Sequence, residues 1–492
     1  METIVSIRPL LAILISSLGT ILIIASHNRP NLREFWTFLI AFAKFGIVCS
    51  MVPLILDGHE IVYTLVDVLP GVGIAFKVDA LGMLFALVAS SLWIVTSIYS
   101  VGYMRSLKEH SQTRYFSFFA LSLSSALGVA FAANLLTMYL FYEMLSLSTY
   151  PLVTHHQDGE ARFGGRKYLT YLMGTSIGML LPAIILTYTL TGNLGFSKGG
   201  IFSGTGSSTL LIVMFWLFLL GIGKAAIMPV HSWLPSAMVA PTPVSALLHA
   251  VAVVKAGVFC VLRIIFDVYG VQLMHDLHLG IMTAYFVSFT IIVGSLFALS
   301  QDNLKARLAY STVAQLSYIV LGAALLSPNG MIGGVIHIVM HGFGKITLFF
   351  CAGAILVATG KKNVSEMKGL GRRMPVTMMA FFVGSLSIIG LPPLGGFISK
   401  WNLVLGSLEA GQIPILIVLL TSSLLNAAYF LPIVYQGFFG KANPGKDSSP
   451  RGGIGEAPFL AIAPLVITAT GSILLFFYPG LFLKLANMVI GK

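Results

Sequence analysis

Charge is what this sequence has least of. Asp, Glu, Lys and Arg make up only 9% of its 492 residues, where a soluble domain carries about 25%. With 57% hydrophobic residues and a mean hydropathy of +0.92, the chain could not cover a water-facing surface. Lipid must be the solvent for most of it. Cysteine is nearly absent too. Cys49, Cys260 and Cys351 stand apart in apolar segments, without metal-ligand or redox spacing, and read as small core residues. There is no cysteine cluster, haem motif or nucleotide loop, so no cofactor and no metal are expected, and any electron transfer must lie on other chains. The net charge of +12 does not point to nucleic acid, because no basic patch with stacking aromatics accompanies it.

What the chain has is apolar runs of about 20 residues, each long enough to cross a ~30 Å hydrocarbon core. Spans are expected near 5–25, 36–56, 79–103, 114–132, 134–153, 168–191, 209–229, 241–265, 280–300, 304–326, 331–357, 375–405, 412–438 and 458–486. This is an all-α, polytopic membrane protein of about fourteen helices, with residues 1–492 forming one integral membrane domain. The first run, Val5 to Ala25, lacks a small-residue cleavage site and reads as a span rather than a signal. The longest polar connections are 57–78, 358–374 and 439–457. Alternating the loops from side to side puts 18 Lys and Arg on one side, including Lys441, Lys446 and Arg451. Only Arg8, Lys77, Lys198, Lys484 and Lys492 fall on the other. By the positive-inside rule the N and C termini are then outside.

Two stretches suggest an internal repeat. "NLLTMYLFYEMLSLS" from Asn134 and "NLKARLAYSTVAQLS" from Asn303 lie 169 residues apart. So do "GIGKAAIMPVHSWLP" from Gly221 and "GLPPLGGFISKW" from Gly390. The second pair are Gly/Pro-interrupted segments that each carry a lysine and a tryptophan. Paired broken helices in corresponding halves are a pointer to a transport site; chance similarity is the alternative.

The charges inside the spans are few enough to take singly. Glu143 is the one acid deep in a span; its alternatives are a functional carboxylate or a neutral structural hydrogen-bond donor, a role that Gln would fill more cheaply. Lys224 lies five residues before Pro229, which frees carbonyls near residue 225. It either satisfies them or is a group whose protonation depends on where an acidic partner stands. Lys255 and His249, six residues apart, sit about 120° apart on an ideal helix and face different neighbours. His337, His341 and Lys345, at i, i+4 and i+8, make a stripe about 12 Å long. Imidazoles on successive turns suit a proton path; a structural cluster and, least of all, zinc are the alternatives. Lys400 follows two prolines and two glycines, where freed carbonyls and room for water are expected. Lys44 is mid-span with no acid at its depth, Arg263 is expected to snorkel from a helix end, and Asp302, His155 and His156 are read as solvated loop residues.

Taken together these motifs resemble the proton-translocating antiporter-like subunits shared by respiratory complex I, Mrp-type sodium/proton antiporters and membrane-bound hydrogenases. The resemblance covers about residues 79 to 435 and rests on "FYEMLSLSTYPLV", "MPVHSWLPSAMVAPTPVSALLHAVAVVKAG", "QDNLKARLAYSTVAQLSYI", "HIVMHGFGKITLFF" and "GLPPLGGFISKW". It implies fourteen helices with two inverted five-helix repeats, here about 114–265 and 280–438, in which two helices are broken. It implies a Glu143–Lys224 charge pair, Lys255 as the central lysine, His249, His337, His341 and Lys345 as links, and Lys400 as the terminal site, where some relatives carry Glu. No long lateral helix follows the last span, unlike the largest subunit type, and the motifs most resemble those of the D-type Mrp subunit. The expected function is therefore proton translocation in a multisubunit Na+/H+ antiporter of the cytoplasmic (inner) membrane, among other membrane subunits. The alternative is the same role in a redox-driven complex of the hydrogenase or complex I kind. A self-sufficient solute transporter would need a site lined with substrate-specific polar groups, and an inactive scaffold would have no use for five buried charges.

Overall fold

The computed structural model describes residues 2–202, 204–440 and 455–492. Lys441, Lys446 and Arg451, with most of the 439–457 connection, lie outside the described residues. The chain is a helical bundle. Its helices are α1 Arg8–Ala25, α2 Pro30–Leu56, α3 Ala80–Ser106, α4 Gln112–Ala130, α5 Leu135–Val153, α6 Gly159–Thr175 and α7 Leu181–Thr191. There follow α8 Ser208–Gly221, α9 Trp233–Ser236, α10 Thr242–Ala246, α11 Val253–Arg263, α12 Val271–Asp276, α13 Leu279–Ser300 and α14 Leu304–Ala324. The chain continues with α15 Pro328–Thr359, α16 Leu370–Arg373, α17 Pro375–Ile389, α18 Gly395–Glu409, α19 Ile413–Phe439, α20 Phe459–Phe477 and α21 Gly480–Val489. Polar side chains set several of the starts. Asp79, Asn134, Asp158 and Asn303 each accept a hydrogen bond from the backbone N–H three residues on, the usual N-cap geometry.

Eight helical stretches among the described residues are long and apolar enough to cross a membrane, one of them α6 and α7 run together as Gly159–Thr191; α8, α17 and α21 are shorter apolar helices. The large apolar side chains left exposed, among them Leu18, Phe42, Phe289, Leu424 and Phe439, face outward as a lipid-solvated surface requires. The centre belongs to α3 and α15, whose spanning windows are 78% and 72% buried, against 33% for α2 and α19.

Two expectations need correction. The 57–78 connection is a β-hairpin, β2 Glu60–Leu69 and β3 Val72–Val78, with the short β1 Thr3–Val5 added in parallel to give a three-stranded sheet in the order β1-β2-β3. Its β-branched residues fit a pleated strand. The span expected at 458–486 is likewise two helices, α20 and α21, parted at Tyr478 and Pro479, because proline cannot continue the hydrogen-bond ladder.

The two broken segments are where expected. α8 stops at Gly221, and a single 3₁₀ turn, Gly223–Ala225, leads to Ala226 at φ 53°. α17 stops at Gly390, φ 90°, before Pro392 and Pro393. A neighbouring glycine packs against each break. A Cβ on Gly257 of α11 would lie 2.3 Å from the Lys224 carbonyl carbon, and one on Gly396 would lie 1.8 Å from the Ser387 carbonyl oxygen. No other residue permits so close an approach.

Candidate functional site

The first break aims Lys224 at α5 rather than at its own helix. Its Nζ donates to the Tyr142 carbonyl at 2.8 Å and to Ser146 Oγ at 2.6 Å, and lies 3.1 Å from the centre of the Tyr142 ring. The Lys224 backbone N–H donates to the Tyr142 hydroxyl at 3.1 Å. Trp233 Nε1 closes the break by donating to the Gly223 carbonyl at 3.0 Å. The freed carbonyls are therefore not what Lys224 satisfies. Glu143 stands next to Tyr142 on α5, and its charge is within electrostatic reach of Lys224. Both Glu143 carboxylate oxygens are shielded and have no hydrogen-bond partner. The two residues are neighbours without a direct ion pair.

The next members lie on α11 and α15. His249 sits within a wide turn, Leu247–Val251, and Lys255 follows it on α11. The two side chains meet different residues, both of them on α15: His249 packs on the Phe349 ring at 4.7 Å, and Lys255 Nζ lies 2.8 Å from His341 Nδ1. His341 and His337 follow one another along α15 with ring centres 5.7 Å apart. His337 reaches Ser399 Oγ at 2.8 Å through Nδ1 and Gln315 Oε1 at 3.1 Å through Nε2. An amide oxygen only accepts, so Nε2 carries the hydrogen toward Gln315; the single Ser399 hydroxyl hydrogen can go to His337 Nδ1 or to the Gly396 carbonyl at 3.1 Å. Lys345 donates to Ser311 Oγ at 2.6 Å; Ser311 Oγ lies 2.8 Å from the Tyr429 hydroxyl, which donates to the Asn426 amide oxygen.

Lys400 ends the row beside the second break. Its Nζ donates to the Ile389 carbonyl and to Ser423 Oγ, both at 3.1 Å. In an unbroken helix that carbonyl would accept from residue 393, but Pro393 has no N–H. Here a lysine does satisfy a freed carbonyl. It also sits 4.8 Å from the Tyr318 ring, which packs on His337.

The structure thus brings Lys255, His341, His337 and Lys400 into one row, with Lys345 as a branch and Lys224 one helix away. Sequence reasoning missed the residues that join them: Tyr142, Ser146, Ser311, Gln315, Ser399 and Ser423. Three had a usable signal, since Tyr142 and Ser146 flank Glu143 and Ser399 precedes Lys400. Among the described residues no group of His, Cys, Asp or Glu is placed to hold a metal.

Other expectations change. Arg263 does not snorkel: it is buried, and its guanidinium binds Asp79 at 2.5 and 2.7 Å and Asp267 at 2.8 Å. Two carboxylates remove the need to reach water. His155 is not solvated but fully buried, stacked on His110 at 4.8 Å. Asp302 is exposed as expected and caps the backbone at Ser365. Lys44 is buried with no hydrogen-bond partner, 5.2 Å from the Trp93 ring.

Comparison with known proteins gives the family and the fold. The family described as NADH:quinone oxidoreductase/Mrp antiporter, TM, matches residues 132–426. The chain is 33% identical over 423 residues to NADH-quinone oxidoreductase subunit N of Desulforudis audaxviator (strain MP104C), covering 82% of each chain. It is 31% identical over 447 residues to the A/B component of a probable K(+)/H(+) antiporter of Rhizobium meliloti (strain 1021), covering 87% of this chain and 43% of that one. A chain in the structure of the Mrp complex from Dietzia sp. DQ12-45-1b shares the fold, with a TM-score of 0.86 at 24% identity and coverage of 98% and 96%.

Proposed function

Because the chain belongs to the NADH:quinone oxidoreductase/Mrp antiporter transmembrane family, we propose that it moves protons through the bilayer as the D-type component of a multisubunit Na+/H+ antiporter of the Mrp kind. Residues 114–265 and 280–438 would be its two inverted halves, and both termini would lie outside the cytoplasmic membrane. The observation that carries the reading is the Lys255–His341 contact, 2.8 Å between two basic nitrogens buried in the bundle. Two such groups can share only one bridging hydrogen. A proton arriving at Lys255 can pass to His341 along that bond with no other bond broken. Lys224 is held by two neutral acceptors rather than by a carboxylate, so movement of Glu143 toward or away from it changes how firmly it keeps its proton. His337, Ser399 and Lys400 continue the row.

The antiporter reading is supported by the motif set around Lys224 to Gly257. A second reading, proton pumping in a redox-driven complex, is favoured by the identity to a component of NADH-quinone oxidoreductase. The proteins that co-purify decide between them: iron–sulfur subunits support the second, and their absence together with Na+-driven proton flux supports the first. A flux driven by K+ but not by Na+ would keep the antiporter and replace the cation. In either complex Glu143→Gln should assemble and be silent while Glu143→Asp keeps part of the flux. If Glu143→Gln works like wild type, Glu143 is structural and the switch is elsewhere.

A further inference from the structure

The Lys/Arg-rich face of the bundle holds a cavity of about 700 Å³ that the row above does not use. Its wall joins the α5–α6 connection at His156 and Asp158, the segment before α10, the start of α14 at Lys305, and Lys362. At its rim His156 Nε2 lies 3.4 Å from Glu109 Oε1 in the α3–α4 connection, and the buried His155 has Nε2 3.7 Å from Glu109 Oε2. The charged and titratable groups facing this pair come from four elements. They are Glu109 and His110 from the α3–α4 connection, Asp158 from the pair's own connection, Lys305 from α14 and Arg114 from α4. The hydrogen bond to Glu109 pushes the His156 imidazole up, and the same bond holds the Glu109 carboxyl below its usual range.

The cavity is also lined by Tyr103, whose hydroxyl accepts from Thr242 Oγ1 at 3.4 Å. Thr242, Ser245 and His249, at i, i+3 and i+7, lie on one side of the helical run that leads inward. Ser245 Oγ and both ring nitrogens of His249 are fully buried and have no partner in the protein. An unsatisfied buried polar group costs about 1–3 kcal/mol, and internal water is what ordinarily satisfies it. Three such atoms lie on the side of the helical run next to a large cavity whose rim carries charged groups, and water is what would satisfy them. The inner end of that side, His249, is within electrostatic reach of Lys345.

We propose that Glu109 and His156 collect protons at the mouth of this cavity, and that the Thr242–Ser245–His249 face carries them by way of water to the buried row. The proposal rests on the proton-translocation reading above and adds where the proton comes from. Bulk water gives a proton to the His156 imidazole, which returns it to cavity water. Each water, and the Ser245 hydroxyl, then accepts one proton and releases another until His249 holds it. No other bond is made or broken.

The test is proton flux by the whole complex in vesicles, read against pH on the cavity side. His156→Gln keeps a polar side chain against Glu109 but cannot titrate. It should lower flux several-fold, most on the alkaline side where free protons are scarce, and a small imidazole buffer should restore it. Ser245→Ala should lower flux several-fold across the range. Either variant matching wild type throughout overturns the proposal, as does a His156→Gln loss that imidazole fails to restore. Glu143→Gln in parallel separates the two claims. If it matches wild type, Glu143 is structural and the uptake path is judged on the cavity variants alone; a wild-type complex that carries no proton flux would sink the translocation reading and this one with it. If it silences the flux while the cavity variants do not change it, only the uptake path is wrong.

Discussion

Between Lys255 Nζ and His341 Nδ1 there is room for one hydrogen, and either nitrogen can own it. If the ammonium owns it, His341 Nδ1 accepts and Nε2 carries the ring's hydrogen; if the imidazole owns it, a neutral amine accepts. Both states satisfy the contact, which is what a transfer step needs and a static ion pair lacks. His341→Gln keeps a polar group in place and removes titration, so it should assemble and lose flux. The double variant with Lys255→Met should be no worse than either single, since both serve one path. Fully additive losses in vesicle flux would show two independent paths. Arg263 makes the contrast. A guanidinium does not titrate in proteins, and Asp79 and Asp267 hold it from two elements, so it is a clamp. Arg263→Met would leave two buried carboxylates without a cation. It should destabilise the chain by about 3–5 kcal/mol, the usual result of removing one partner of a buried pair, and thermal unfolding in detergent would read this directly.

At the scale of elements, the breaks in α8 and α17 do the positioning, and each depends on a glycine from a neighbour. Gly257→Ala should displace the Lys224 turn, because its Cβ would meet backbone that cannot rotate away. Overpacking of this kind costs about 1–3 kcal/mol, and loss of flux with partly retained assembly is the expected outcome; wild-type flux would show that the turn tolerates movement. The connections at the cavity rim respond to pH instead. His156 is raised by Glu109, so its contribution is complete below the ordinary histidine value, about 6.5, and fades as pH rises through its folded value. Glu109 is lowered by His156, so its contribution is lost as pH falls through its own folded value. His155, pushed down to about 4 by burial, resists protonation and weakens the connection as pH falls below about 6.5. Protection from hydrogen exchange at residues 107–111 and 154–158, taken relative to the intrinsic rate at each pH, should therefore be greatest near neutrality, and a flat protection profile would dissociate the pair from loop stability. Much of this was readable in the sequence. Pro229, Pro392 and Pro393 announce the breaks, and the i, i+4, i+8 spacing announces the stripe. Part of what joins the charged groups was not, because Gln315 and Ser311 reach the stripe from another helix, and only packing chooses among many buried polar residues. The β-hairpin was missed because a search for runs that can cross a bilayer sorts 57–78 as too polar and asks nothing further of it. Pro479, a plain stop signal, is averaged away in the same kind of window.

For the molecule as a whole, the direction of each step matters as much as its members. Lys224 to α5, Lys255 to His341 and His337 to Ser399 are contacts between neighbouring helices, steps from one helix to the next rather than along one. The stripe His337, His341, Lys345 runs along α15, whose 32 residues are enough to cross the core. It advances about 12 Å along the helix axis, roughly 0.4 of a ~30 Å core. A unit charge crossing the full potential exchanges about 2.3 kcal/mol per 100 mV, so transfer along the stripe meets roughly 0.9 kcal/mol per 100 mV and a sideways step meets almost none. Variants that slow different steps should therefore differ in their response to an imposed voltage. His337→Gln, which interrupts the stripe, should slow flux and make the remainder steeper in voltage. Ser146→Ala, which removes one acceptor from Lys224, should slow flux and leave the slope as it was. Measuring flux by the reconstituted complex at several clamped potentials distinguishes them. Equal slopes in the two variants would mean that the membrane field does not fall along α15, and that the charge crosses the bilayer by another route.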